Sequence, residues 1–387
     1  LVNLENVSKT FVTVTATGGK DKKEDGKLEV GEVGDKFEAT FKLHNYSDKD
    51  ITFTPRYISL KDDVDQDGRY TEHAKVALKH EFKKEVTVPA GKEVEYKAEI
   101  STSGIANNQF AQGYVMFEST DNPTLSVPYT GFKGDWSQPQ FLDNMPDFSD
   151  KVNYKPIVYP NGGIDKTGFM RRQEKGGWNY WNAWNVDGKP TVFVNSLGKD
   201  EGMNNEVAPV ITIMRNALDV KYDILDKDGK VLRNLFIDPI LLKVNGLYKG
   251  GDSQYRFEYV PGGAAWDFKD SKGNPVEEGN YIYQITGHVD YKDAMEQKYQ
   301  YNILLDNQAP TLKGEYHEDD RTITVTAHDD GSGVFSVGYE NTTTGEWYEQ
   351  QVRKDGQYKN SGIVDEYSYT FKVADGFDLS NLSIYAW

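Results

Sequence analysis

GYVMFESTDNPTLSVPYTGFKGDW, residues 113–136, is the stretch of this sequence that decides its fold. It contains two short β-type runs, separated by the turn residues Asp121, Asn122 and Pro123. Apolar and aromatic runs bounded by turn signals are typical of antiparallel strands. An aromatic joint, GFKGDW, follows the second run, and the composition changes after it. The stretch therefore predicts the end of a β-sandwich that meets a following module.

Apolar residues alternate with polar ones in three further runs of the first third of the chain. The apolar members are Val12, Val14 and Ala16 in one run, Phe37, Ala39, Phe41 and Leu43 in the next, and Val94, Tyr96, Ala98 and Ile100 in the last. A period of two places one face of a strand in the core. We expect Phe37, Phe41 and Leu43 to be buried and His44 to face the other side, because a slip of one residue would reverse every side chain.

The composition narrows the class of protein. The 387 residues include 25 Tyr and 36 Gly but no Cys, which excludes a disulfide framework and a cysteine-liganded zinc site. The net charge of −17 argues against nucleic acid or an anionic membrane as a partner. No run approaches the roughly 18 consecutive apolar residues of a membrane span. No run of more than about ten residues has a sustained helical period, so the sequence predicts an all-β fold.

Turn-rich junctions divide the sequence into three predicted domains, each a fibronectin III/immunoglobulin-like β-sandwich. The first covers residues 1–136, the second 137–306 and the third 307–387. Alternation fails in the second domain over about residues 145–205, where Pro, Gly, Asn and aromatic residues predict a long insertion. The apolar run SIYAW at residues 383–387 is typical of an unfinished strand. We therefore expect a truncated third domain and a chain that is a piece of a longer protein.

Two segments of the first domain carry a resemblance to a known family. VPYTGFKGDW at residues 127–136, with VTVPAGKEVEYKAEI at residues 86–100, resembles the first fibronectin type III-like domain of cell-envelope subtilisin-like serine proteinases. The lactocepins and the streptococcal C5a peptidases belong to that family. The domain order agrees along the whole chain. The resemblance implies an extracellular location on the bacterial cell surface, with attachment to the cell wall through parts that lie outside this sequence.

The same resemblance implies a function and partners. It identifies the chain as non-catalytic accessory modules that space the protease domain from the cell wall and offer a surface to protein substrates. The implied partners are the upstream protease domain of the same chain and a host protein substrate. The alternative from a different class is an adhesin, a surface segment that binds carbohydrate or a host protein.

No residues in the sequence predict catalysis. The family's Asp, His and Ser motifs are absent, and GGDSQ at residues 250–254 is typical of a turn. The six histidines contain no HExxH pattern, so zinc hydrolysis has no support. We expect this fragment not to be an enzyme.

Calcium is the one candidate cofactor. Asp63, Asp65 and Asp67 precede Gly68 in a D-x-D-x-D-G pattern, in which alternate oxygens converge on one cation and the glycine allows a sharp turn. Position twelve of the corresponding loop is Ala74, and Glu72 is the nearest acidic ligand. The same pattern also suits a solvated acidic hairpin loop. A second candidate site lies at the junction of domains two and three and comprises Asp306, Asp329 and Asp330.

Four aromatic residues, Trp178, Tyr180, Trp181 and Trp184, lie within seven positions of the predicted insertion. Aromatic faces can stack on sugars or line a peptide groove. Core or interdomain packing is the alternative, because a long insertion without cysteines needs large apolar anchors. Lys133-Gly134-Asp135 differs from the integrin-binding tripeptide RGD only in its first residue, although it lies within the joint that carries the family resemblance.

The packing hypothesis predicts that the substitution Trp181→Ala lowers the free energy of unfolding by about 3–5 kcal/mol, as for other buried large-to-small changes. Urea unfolding of the whole chain measures this. An unchanged unfolding curve, combined with weaker binding to glycans or protein substrates, would instead identify the aromatic cluster as a binding site.

Overall fold

The computed structural model describes residues 4–19, 22–64, 70–82, 84–142, 168–172, 178–181, 184–186, 189–197, 206–249, 255–257, 259–352 and 363–387. Two compact units, Leu1–Pro139 and Gln140–Trp387, make up the chain. Buried apolar side chains form three separate cores, drawn from residues 12–129, 141–305 and 323–373. Each core lies within one predicted domain, while the exact domain boundaries stay a prediction.

The first unit is a sandwich of two β-sheets, preceded by the single turn of helix α1 (Leu4–Val7). Its strands are β1 (Val12–Gly18), β2 (Leu28–Val33), β3 (Lys36–Asn45), β4 (Ile51–Val64), β5 (Tyr70–Glu81), β6 (Val86–Val88), β7 (Glu93–Ser101), β8 (Gln109–Glu118) and β9 (Leu125–Lys133). One sheet has the order β1-β3-β7. The other has the order β2-β9-β8-β4-β5, with β6 paired to β4. Strands β2 and β9 are parallel, and the remaining pairs are antiparallel.

Strand β3 has the predicted register. Phe41 and Leu43 are fully buried, and the neighbouring His44 lies on the other face, where its Nδ1 is 3.6 Å from Glu93 Oε2. Phe37 is half-buried and not buried as predicted. It lies at the start of the strand, where its ring packs edge-on against Tyr129 at a centroid distance of 5.2 Å. The alternation therefore predicts the faces correctly, but it overestimates burial near a strand end.

Tyr129, from the segment that decides the fold, connects the two sheets of the first unit. Its hydroxyl is 2.7 Å from Ser59 Oγ, and Ser59 Oγ also donates to the carbonyl oxygen of Ser101 in the opposite sheet. Burial raises the pKa of the Tyr129 hydroxyl to about 12, so this group is a neutral donor over the physiological range. The hydrogen-bonded chain therefore satisfies polar groups that would be costly to bury alone.

The second unit contains the strands around the other two cores. Around the second core they are β10 (Gly168–Arg172), β11 (Trp178–Trp181), β12 (Trp184–Val186), β13 (Lys189–Val194), β14 (Val207–Val210), β15 (Ala217–Asp226), β16 (Val231–Leu241), β17 (Leu247–Lys249), β18 (Tyr255–Phe257), β19 (Gly279–Val289) and β20 (Gln297–Leu305). The main sheet has the order β12-β13-β20-β19-β15-β16, and a smaller sheet has the order β11-β10-β14. A 3₁₀ helix spans Lys243–Gly246 before the β17-β18 hairpin.

The predicted irregular insertion contains β-strands in its described parts. Strands β10 to β13 fall within residues 145–205, and β13 joins the main sheet by parallel pairing with β20. The missing alternation in the sequence therefore did not reveal these strands, and the insertion itself stays a prediction. The partner strand of β13 lies more than one hundred residues away in the sequence, so the residues around β13 do not reveal the pairing. Strand preference depends on the neighbours that the fold supplies.

Trp266 is the largest fully buried side chain of the second core. Its ring packs against Phe268 and Tyr281, each at a centroid distance of 5.1 Å, and its Nε1 donates to the carbonyl oxygen of Lys269 at 3.1 Å. Asp226 closes the hairpin turn after β15, since its Oδ1 accepts hydrogen bonds from the backbone N–H of Asp228 and of Lys230.

The third core lies between two three-stranded sheets. Its strands are β21 (Thr311–His317), β22 (Thr322–His328), β23 (Ser336–Asn341), β24 (Trp347–Gln351), β25 (Glu366–Lys372) and β26 (Leu382–Ala386), with a 3₁₀ helix at Leu379–Asn381. The sheet orders are β21-β22-β25 and β24-β23-β26. Ile323, Val325 and Ala327 alternate with polar residues along β22, and all three are buried. The all-β prediction is confirmed for the described chain.

We predict that any side chain at position 113 destabilises the first sandwich. A Cβ at this position would lie 2.0 Å from the carbonyl oxygen of Ile58 and 2.6 Å from Tyr129 Oη. We expect Gly113→Ala to lower the free energy of unfolding by about 1–3 kcal/mol, as for other overpacked positions. Gly34→Ala is the matched control, because no atom lies within 4 Å of the place that its methyl group would take. Equal urea midpoints for the two variants would contradict the prediction.

Candidate functional site

The acidic pattern of residues 63–68 begins at the end of strand β4. Strand β4 ends at Val64 and β5 begins at Tyr70, with Asp63 opposite Glu72 across the pair. Residues directly opposite each other in such a pair have Cα atoms about 4.5–5.5 Å apart. The backbone therefore brings Glu72 back to the start of the pattern. Asp65 and Asp67, and the side chains of Asp63 and Glu72, lie outside the described part of the chain, so calcium binding stays a prediction.

The junction carboxylates hold a loop together. Asp306 Oδ2 accepts a hydrogen bond from Ser332 N at 2.6 Å, and Asp329 Oδ1 accepts hydrogen bonds from Gly331 N and Gly333 N at 2.8 and 3.1 Å. The exposed side chain of Asp330 instead faces His328, with its Oδ1 3.0 Å from His328 Nε2. Across the described residues, no three His, Asp or Glu side chains converge as metal ligands. The structure thus places Asp306 and Asp329 as caps of one loop and does not gather the three aspartates into a ligand set.

The aromatic cluster divides between two sheets. Trp178, Tyr180 and Trp181 belong to β11, where Trp178 is opposite Arg172 and Trp181 is opposite Phe169 of β10. Trp184 begins β12 and is opposite Thr191 of β13. The side chains of all four aromatic residues lie outside the described part of the structure. Packing and ligand binding therefore remain the two hypotheses for this cluster.

The Lys133-Gly134-Asp135 tripeptide is built into the first sandwich. Lys133 is buried. Its Nζ donates to the carbonyl oxygens of Thr102 and Ile105, at 3.1 and 2.8 Å respectively. The same Nζ also contacts Asp35 Oδ1 at 2.9 Å. Asp135 accepts hydrogen bonds from the Ser137 hydroxyl and backbone N–H, which lower the pKa of its carboxyl. A receptor cannot reach the ammonium group of Lys133, so these residues serve the fold. Sequence inspection missed this buried lysine, because lysine at a strand end is usually exposed.

Two histidines of the second unit face carboxylates, as the histidine of a catalytic triad does. His288 Nε2 is 3.3 Å from Asp219 Oδ2, and His328 Nε2 is 3.0 Å from Asp330 Oδ1. A triad also needs a nucleophile on the other ring nitrogen. His288 Nδ1 instead faces its neighbour's carbonyl oxygen, on Val289, and His328 Nδ1 is buried with no hydrogen-bond partner among the described residues. Within the described ranges, neither pair therefore has the arrangement that activates a serine.

Comparison with known proteins identifies relatives of the chain. A family model described as Fn3-like domain matches residues 28–130. The PI-type proteinase of Lactococcus lactis subsp. cremoris is 27% identical over 264 residues, which cover 64% of this chain and 13% of that protein. The C5a peptidase of Streptococcus pyogenes serotype M3 (strain ATCC BAA-595 / MGAS315) is 23% identical over 363 residues, which cover 77% of this chain and 30% of that protein. The chain is thus similar in sequence to cell-envelope proteinases over most of its length.

The resemblance inferred from VPYTGFKGDW is thereby confirmed. These cell-envelope proteinases are much longer than the chain, which spans well under half of either relative. Among solved structures, the C-terminal domain of the Streptococcus agalactiae AgI/II polypeptide BspA is 9% identical, with 75% of this chain and 99% of that chain covered. Its TM-score of 0.25 is too low to establish a common fold. None of the helices in the described ranges is both long and apolar enough to cross a membrane.

We predict that Asp63, Asp65 and Asp67 bind calcium, with Glu72 or backbone carbonyls completing six to eight oxygens at about 2.3–2.6 Å. Three carboxylates within five residues repel one another in the empty loop, and a divalent cation removes that repulsion. Millimolar calcium should raise the unfolding temperature of the first unit, and chelation should lower it.

Asp65→Ala is the test variant for this calcium site, and Asp48→Ala, in an exposed loop of the same unit, is the control. Calorimetric titration should show calcium uptake by the control and none by the Asp65 variant. The same unfolding temperature for the unaltered chain with calcium and with chelator would leave residues 63–68 an ordinary solvated loop.

Proposed function

We propose that the chain is a non-catalytic accessory region of a cell-surface serine proteinase. Its modules space the protease domain from the cell wall and offer protein substrates a surface away from the scissile bond. The observation that carries the proposal is the similarity to cell-envelope proteinases over 64–77% of the chain, in a fold made of β-sandwiches. The upstream protease domain and a protein substrate are the proposed partners, and the location is the outer surface of a bacterial cell.

The three separate cores, each drawn from its own stretch of sequence, support a modular accessory region. The charge of −17 favours solubility outside the cell and disfavours nucleic acid as a partner.

A surface remote from the active site also has a kinetic use. Binding energy from parts of a substrate far from the reacting bond can be used to position that bond, and short peptides cannot supply it. An accessory region of this kind therefore raises the specificity of a proteinase for long substrates without any catalytic residue of its own.

We predict that purified residues 1–387 do not hydrolyse casein or a protein of chemokine size, because they lack the triad motifs. Gel electrophoresis after prolonged incubation measures this, with subtilisin as the positive control. Cleavage by the pure chain that a serine-protease inhibitor abolishes would contradict the proposal.

The exosite role requires a second experiment on the longer proteinase that contains this chain. Deleting the accessory modules should lower kcat/KM for a whole-protein substrate and leave kcat/KM for a short peptide unchanged. Equal losses for both substrates would indicate a damaged protease domain, and no loss for either would remove the exosite role.

A further inference from the structure

One outer sheet face at the third core combines an exposed aromatic ring with carboxylates. Strand β23 is the middle strand of the sheet β24-β23-β26. Val337 and Tyr339 of this strand are fully buried in the core. Because successive side chains of a strand point to opposite faces, Gly338 and Glu340 belong to the outer face.

The strand register brings four side chains together on this face. Trp347 of β24 is opposite Glu340, and Gly338 has Glu349 of β24 on one side and Tyr385 of β26 on the other. Directly opposite residues share a face, with Cβ atoms about 4.5–5.5 Å apart. We call Glu340, Trp347, Glu349 and Tyr385 the aromatic–acidic face.

Gly338 creates the space that the Tyr385 ring occupies. A Cβ on Gly338 would lie 2.4 Å from Tyr385 Cζ and 2.5 Å from the carbonyl oxygen of Tyr348, so no larger residue fits. The Tyr385 hydroxyl donates to that carbonyl oxygen at 3.4 Å. The ring therefore lies across the middle strand at Gly338 and reaches the backbone of strand β24.

On the aromatic–acidic face, Trp347 is exposed, whereas Glu340, Glu349 and Tyr385 are half-buried, and the two charges have the same sign. The Trp347 side chain is 61% exposed, which is unusual for the largest apolar residue. Glu340 and Glu349 have no ion-pair partner among the described residues. Burial, and then the charges of Glu349 and Glu340, raise the pKa of the Tyr385 hydroxyl, which places both carboxylates close to the ring.

We propose that the aromatic–acidic face binds an arginine- or lysine-containing segment of another protein. A guanidinium or ammonium group is attracted to the face of an indole or phenol ring and also pairs with carboxylates. This face offers aromatic rings and carboxylates on neighbouring strands of one sheet. Its negative charge complements a basic segment. A neutral saccharide could stack on Trp347, but it would gain nothing from the charges of the two glutamates. The inference goes beyond the accessory role and can be tested on the isolated chain, whatever the parent protein does.

The test measures calorimetric binding of the 387-residue chain to an eight-residue peptide of alternating Arg and Ser at low ionic strength. Trp347→Ala, Glu340→Gln and Glu349→Gln should each weaken binding about two- to fivefold, as expected for exposed cation–π and ion-pair contacts. The matched charge controls are Glu315→Gln and Glu366→Gln, which remove the same charge from exposed positions on the other sheet around this core. Circular dichroism of each variant shows that its fold is intact.

The controls distinguish this face from general attraction between a basic peptide and an acidic chain. The control variants should bind like the unaltered chain, and a peptide with citrulline in place of Arg should not bind. Absence of peptide binding, or equal weakening by the control variants, would overturn the proposal. Binding of maltohexaose that Trp347→Ala abolishes, without binding of the peptide, would overturn it in favour of a saccharide site.

Discussion

With no cysteine in the chain, each sandwich is held together only by what its two sheets bury between them. Apolar contacts between sheets are non-directional, so they stabilise a sandwich without fixing how the sheets align. In the first unit the alignment comes from buried polar groups. Ser59 links Tyr129 of one sheet to the Ser101 carbonyl of the other, and Lys133 gathers the carbonyls of Thr102 and Ile105. Each of these groups would be left unsatisfied if the sheets slid apart.

This constraint explains why VPYTGFKGDW marks the fold so clearly. Tyr129 supplies the buried hydroxyl and Lys133 supplies the buried ammonium group. The Trp136 ring packs against Phe110 of strand β8 at a centroid distance of 5.7 Å. Each of these three residues contacts a residue outside the motif, so the motif joins distant parts of the sandwich. The Lys133-Gly134-Asp135 tripeptide, which resembles an adhesion signal, therefore has a packing role.

The sequence predicts well those features that depend on neighbours along the chain. The alternation in β3 and β7 is a local pattern, and the structure confirms it. Features that depend on distant partners were missed. Strand β13 owes its conformation to β20, and the aromatic–acidic face joins Glu340 to Tyr385 only through the pairing of β23 with β26. Among the candidate sites, the hairpin position of residues 63–68 was predictable from local turn signals, whereas the loop-capping roles of Asp306 and Asp329 depend on the tertiary fold.

The parallel pairing of β13 with β20 has a consequence for the order in which the second unit can fold. Val192 lies opposite Ile303, and the nearby hydrogen bond from Ser196 N to Asn307 Oδ1 joins residues 111 positions apart. Because synthesis begins at the N-terminus, β13 is made long before β20, the strand with which it pairs. Strand pairing over such a separation is slow, and unpaired edges attract other chains in the meantime. The main sheet of this unit can therefore close only after synthesis has passed Leu305, and a nascent chain halted before that point would present β12 and β13 as an open edge.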